Sequence, residues 1–244
     1  AARRLAVDAI RRARTASRAL PALAAAAREV GDPVDVFAFN GDERLELILT
    51  VCHPELAEET RLALALRFAC GVPTRDVATM LLIAETTMAA RLTRAKKHLH
   101  DSPIRFALAD VRQVSERMPD ALSVIALMYT VGYAAPTHED AARLRADAIA
   151  LARDAHRVGV GGSETSGLLA LLLLTEARSA SRVDATGEMV ELATADRTLW
   201  DRRMLDEGEA LATSALTSGT GRFALQAGIA GIHALAPSWE ETDW

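Results

Sequence analysis

Apolar residues recur three and four positions apart along most of this chain, the spacing of helices that bury one face. Residues 1–28 follow it under a load of arginine, with Arg3, Arg4, Arg11, Arg12, Arg14 and Arg18 set against Asp8. Gly31-Asp32-Pro33 breaks the pattern within a linker over 29–40. Asp42 then opens a stretch in which Leu45, Ile48, Leu49 and Cys52 share a face. The next helix is expected from about Pro54 to Ala69, with Leu62, Leu66 and Phe68 near the core and Gly71 as its C-cap.

Pro73-Thr74 begins a short helix, with Thr74 placed to cap it and Val77, Ala78 and Leu81 on its buried side. A tight connection at Leu82-Ile83-Ala84 leads to Glu85-Thr86-Thr87, where a longer helix starts and runs to about His100. Met88, Leu92, Ala95 and Leu99 give that helix an apolar stripe, and Arg91, Arg94, Lys96, Lys97 and His98 occupy the opposite side. After Pro103, helical runs are expected over about 111–133, 138–158, 165–181, 196–217 and 222–235, separated by Gly- or Pro-bearing turns. Val183–Leu192 reads as a small hairpin around Asp184–Gly187. The helix pairs of this half point to an α-solenoid, although no sequence repeat of fixed period accompanies them.

Composition supports an all-α fold. Half of the 244 residues are apolar, mostly Ala and Leu, and 4% are aromatic, whereas strands favour branched and aromatic side chains. The longest apolar run, Leu168–Leu174, is far short of the ~20 residues that span a bilayer, so no membrane segment is expected. Cys52 and Cys70 sit among apolar helical residues and read as buried thiols in a reducing cytoplasm. Charge is polarised: residues 1–100 carry +3 and residues 101–244 carry −8. Nucleic acid, if bound, is expected to meet the first hundred residues. The chain opens abruptly on an arginine-rich helical pattern and reads as a segment of a longer protein.

A short helix, a tight turn and a second helix with a cationic outer face make a helix-turn-helix. The second helix fits the major groove with its early residues at base edges, while cations and N-terminal amides hold phosphates. A basic helical face is also an ordinary solvated surface, so periodicity leaves both readings open.

The stretch from Phe68 to Lys97 (FACGVPTRDVATMLLIAETTMAARLTRAKK) resembles region 4 of an extracytoplasmic-function RNA polymerase sigma factor. Upstream, Ala2–Arg12 is similar to the tail of that family's region 2. Downstream, Gly167–Leu171, Ala177–Asp184, Trp200-Asp-Arg and Thr242–Trp244 resemble the subgroup with a tetratricopeptide-like (TPR-like) C-terminal extension. The expected organisation is a region 2 tail over 1–28, a linker over 29–40, region 4 over 41–102 and a helical extension over 103–244.

The resemblance implies promoter DNA and core RNA polymerase as partners, with region 4 on the −35 element and on the flap of the β subunit. It implies a complete region 2 before Ala1. Position by position, Ala89, Ala90, Thr93 and Arg94 match the base-facing positions, and Arg75, Thr86, Thr87, Arg91 and Lys97 match phosphate-binding ones. Arg94 is suited to guanine, and Ala90 and Thr93 to a thymine methyl. The Ala89-Ala90 pair departs from a hydrogen-bonding pattern and leaves the preferred sequence open. A contact in cis between the acidic extension and region 4 is a further expectation.

Other chemistry finds little footing. Gly159–Ser163 is glycine-rich but lacks the Lys and the preceding strand of a phosphate-cradling loop. The six histidines show no metal-ligand spacing, and no G-x-S-x-G motif occurs. No catalytic residue, metal or cofactor is therefore expected. Asp206–Glu209 and Glu240–Asp243 read as solvated helix ends, and Trp200, Trp239 and Trp244 as core anchors. The rival reading is a helical scaffold for protein partners with a vestigial helix-turn-helix.

Overall fold

The computed structural model describes residues 43–101, 108, 110–134 and 140–244. The arginine-rich segment 1–28 and the linker 29–40 lie outside them. The chain divides into two compact units after Met128. All regular structure among the described residues is helical.

The first unit contains α1 (Glu43–Val51), α2 (Glu58–Leu64), α3 (Thr74–Met80), α4 (Glu85–Asp101) and the start of α5 (Val111–Ala134). Its core is built from Leu45, Ile48, Leu49, Leu64, Leu66, Val77 and Met88, all essentially inaccessible. The helix expected from Pro54 begins later, at Glu58, after a turn in which the Leu56 amide donates to the His53 carbonyl. At its far end α2 widens into a π-helical turn over Ala65–Ala69, and Gly71 follows in the left-handed conformation. Thr74 is not the cap of α3. Pro73 holds the N-cap position with extended backbone, and Thr74 is the first helical residue.

The early part of α5 belongs to this unit and is tied to α1 and α2. Arg117 is buried and donates to the Leu49 carbonyl at 3.3 Å. Asp120 pairs with Arg61 of α2 at 3.2 Å. Val114, Met118, Ala121, Leu122 and Ile125 on the same helix are buried.

The second unit is built on α6 (Ala141–Val158), α7 (Ser163–Glu176), α8 (Arg202–Ser218) and α9 (Arg222–Leu235). Leu168–Leu174 makes α7 apolar on nearly every side, and α6, α8 and α9 all pack on it. Gly159, Gly161 and Gly162 turn the chain between α6 and α7 with positive φ. Two expected helices are each split. The run over 165–181 stops at Glu176 and resumes as a 3-10 turn at Ser179–Ser181. The run over 196–217 breaks at Trp200-Asp201, where the Asp201 carboxylate accepts from the Met204 amide and caps α8. A short acidic side chain competes with helix continuation in this way.

The expected hairpin is a single antiparallel bridge, Val183 to Met189, and no strand pair forms. Asp184 organises its turn by accepting from the Thr186 amide and hydroxyl and from the Glu188 amide. Trp200 is buried as expected. Trp239 and Trp244 are not core residues: 37% and 67% exposed, they pack on each other with ring centroids 4.3 Å apart. Within the cluster Asp206–Glu209, Glu207 is not simply solvated, since Arg153 of α6 grips it through both terminal nitrogens.

Candidate nucleic-acid interface

Helix α4 owes its orientation to three side chains. Met88, Leu92 and Ala95 are buried, and α4 packs through this stripe on α3 and α2. With a period of 3.6, burying that stripe turns the residues between its members outward. Thr86, Thr87, Ala89, Ala90, Thr93, Arg94 and Lys97 are all exposed. The first two lie in the opening turn, whose leading backbone N–H groups have no partner inside a helix.

Two of the outward side chains rest on their own helix. The Thr93 hydroxyl donates to the Ala89 carbonyl at 2.9 Å, and Arg94 Nε reaches the Ala90 carbonyl at 3.4 Å. These are weak local contacts that a ligand can displace. Lys96, from the same basic run, lies over the Phe68 ring at 5.1 Å. Arg75 stands exposed on α3 with its Nε 3.5 Å from Asp76.

Arg91 is placed differently from its neighbours. Its guanidinium is turned to α2 and pairs with Glu59 at 2.6 Å. Nothing local marks this pair, because the partners lie on separate helices. Beside it runs an open groove of about 370 Å³, lined by Glu55, Thr60, Arg91, Arg94 and His98 among others.

The turn between α3 and α4 is tight. Leu81, Leu82 and Ile83 donate to the carbonyls of Val77, Thr79 and Ala78, which closes the end of α3. Leu82 takes φ 54, a conformation that usually calls for glycine. Behind the interface, the Cys52 thiol is pushed up to about 12, chiefly by burial and then by Asp120. His53 is held below its ordinary value by burial and by Arg117, and its Nδ1 accepts from the Glu55 amide.

A short helix, a glycine-like turn and a second helix with an exposed cationic side define a helix-turn-helix unit. Residues 46–99 match Sigma-70, region 4, and residues 117–216 match a family of unknown function, DUF6596. A sigma-70 region 4 helix-turn-helix domain is therefore present, followed by a helical domain that matches DUF6596. The chain is 35% identical over 219 residues to an uncharacterized protein of Rhizobium meliloti (strain 1021). That alignment covers 88% of the chain and 52% of the relative, so the chain spans about half the length of the curated relative it matches. No solved structure matches. Among the described residues, no helix is long and apolar enough to cross a membrane, and no group of three or more His, Cys, Asp or Glu is placed to hold a metal.

Proposed function

We propose that this chain acts in a bacterial, cytoplasmic sigma factor of the extracytoplasmic-function class. In this reading α4 reads the −35 element, region 4 meets the flap of the polymerase β subunit, and the TPR-like helical domain modulates promoter-specific initiation. One observation carries it: α4 buries Met88, Leu92 and Ala95 and leaves Ala89, Ala90, Thr93, Arg94 and Lys97 exposed together. The regulatory part draws on the contacts of Arg117 and Asp120 in α5 with Leu49 and Arg61. They lie beyond the matched region 4 segment and touch it in cis.

The test is duplex binding, with the preferred sequence selected from a randomised pool. Arg94→Ala should lose ~1–3 kcal/mol on the selected duplex and little on a scrambled one. Equal losses on both would remove Arg94 as a base reader. The slope of log K against log salt should steepen by ~0.9 for each phosphate neutralised. Arg91 enters as a phosphate contact in competition with Glu59, so Glu59→Gln should tighten nonspecific binding by freeing the guanidinium. Weaker binding of that variant would assign the pair to holding α4 in place. Retention of the chain on purified core polymerase tests the partner.

The scaffold reading draws on Leu225, Ile229 and Ile232, exposed along one side of α9. Apolar surface of that kind suits a protein partner. That reading expects almost no salt dependence of DNA binding.

A further inference from the structure

Three arginines of the second unit gather around two aromatic rings. Arg182 lies over Tyr133, its guanidinium carbon 3.2 Å from the ring centroid, and donates to the Tyr133 carbonyl. Arg197 lies over Trp200 at 4.6 Å, and Arg178 approaches the same ring at 5.9 Å. Trp200 is itself fixed, its indole N–H donating to Ser181 at 2.7 Å. Between Tyr133 and Trp200 opens a cleft of about 110 Å³, with Arg178, Ser181 and Arg182 in its wall and Met189 and Leu192 on its apolar side. One buried water needs ~10–15 Å³, so the space suits a small ligand group.

The three arginines are half-buried, and Arg197 donates from its other terminal nitrogen to the carbonyls of His233 and Ala236, yet each keeps a nitrogen without a partner. Nε of Arg178, Nε of Arg182 and one terminal nitrogen of Arg197 are buried without a hydrogen-bond partner. Arg61 and Arg91 also bury such an atom, but each faces a carboxylate, Asp120 or Glu59. Among the described residues, none of the three around Trp200 has a carboxylate at ion-pair distance. The nearby Glu176 is engaged by Arg145 at 2.9 Å and by the Tyr129 hydroxyl at 2.9 Å. Burial, with the fields of Arg197 and Arg182 adding to it, holds Arg178 below its ordinary value. Half-buried guanidiniums with no carboxylate beside them are costly to keep, and an anion that reaches their remaining donors offsets that cost.

We infer that the cleft between Tyr133 and Trp200 is a binding site for a phosphorylated small molecule, with Arg178 and Arg182 on its phosphoryl group and the rings and apolar wall against its body. A dianionic phosphoryl group balances two guanidiniums, as one carboxylate does not, and its oxygens suit planar Arg forks. The site lies on the helical domain and stands independently of the DNA-binding reading.

The probe is phenyl phosphate, with benzoate as its carboxylate counterpart, titrated by calorimetry and by the indole N–H resonances of the 15N-labelled chain. Phenyl phosphate should bind saturably at one site, more tightly than benzoate, and shift the Trp200 indole resonance along the same curve. The Trp239 and Trp244 resonances should stay in place. Arg178→Gln and Arg182→Gln should each weaken binding at least about tenfold, the scale of one lost charge-assisted hydrogen bond. Arg143→Gln, on the exposed side of α6, should bind as the unaltered chain does. No saturable binding of phenyl phosphate, benzoate bound as tightly, or an unmoved Trp200 resonance would overturn the site. The resonance measurement needs no variant and stands even if the substituted proteins misfold.

Discussion

Leu82 carries two penalties at one position: a left-handed backbone at φ 54 and a side chain 92% exposed. A non-glycine residue pays about 1–2 kcal/mol in that conformation. Leu82→Gly should therefore stabilise the first unit by about 1 kcal/mol in urea denaturation, where glycine inside a helix would cost that much. An unchanged or lower midpoint would mean that the leucine is held there by contacts of its own. Cys52 makes a second residue-scale prediction. Its thiol is buried and raised to about 12, so the reactive thiolate is scarce at neutral pH. Iodoacetamide should leave Cys52 unmodified in the folded chain at about pH 8 and label it readily in denaturant. That both cysteines lie among apolar helical residues is readable from their neighbours, whereas the field of Asp120 on Cys52 crosses a separation no local pattern encodes.

Helix contacts in the second unit depend on glycine. A methyl group at Gly167 of α7 would sit 2.4 Å from the backbone nitrogen of Ala224 in α9, too close for any rotamer to relieve. Two helices can touch backbone to backbone there because one side chain is missing. Gly167→Ala should thus destabilise the unit by ~1–3 kcal/mol or more, opposite in sign to the usual gain from replacing a helical glycine. A raised melting temperature would show that α7 and α9 can separate at little cost. Glu164 strengthens the same crossing, since its carboxylate accepts from the Phe223 and Ala224 amides at the start of α9. Neither function can be read from the sequence, where Gly167 precedes a leucine run and Glu164 is an ordinary first-turn acid. Helices α6 and α9 were nonetheless legible, because their apolar residues repeat at a helical period, and α7 showed as an unbroken apolar run.

At the scale of the molecule, region 4 does not bury its core alone. The start of α5 lies outside the matched segment 46–99 yet belongs to the first unit, through Arg117, Asp120 and buried residues such as Met118, Leu122 and Ile125. A fragment of residues 43–102 should be less stable than one of residues 43–128 by at least about 3 kcal/mol, since burying one such side chain contributes ~1.5–3 kcal/mol. Equal urea midpoints would show that α5 is dispensable. In the second unit, the hydrogen bond from Arg153 holds Glu207 below its ordinary 4.5, with the Arg153 charge adding to it. A carboxylate depressed in the folded state contributes stability that is complete above its unfolded value and is lost as pH falls through the folded one. Glu207→Gln removes that contribution, so its stability should fall less steeply than that of the unaltered chain below about pH 4.5.

Local order follows from local pattern. Apolar spacing along α4 determined by itself which residues lie inward and left Ala89, Ala90, Thr93, Arg94 and Lys97 facing out, because a helix repeats every 3.6 residues wherever it packs. Turn chemistry announced Gly71 and the Gly159–Gly162 bend for the same reason. Tertiary structure decided everything that joins distant positions: Arg91 with Glu59, Arg117 with Leu49, Gly167 against Ala224, and the arginines around Trp200. It also moved Trp239 and Trp244 from the expected core to a surface pair. Periodicity specifies a face, but the partner of that face is chosen by packing across the chain, which adjacent residues do not encode.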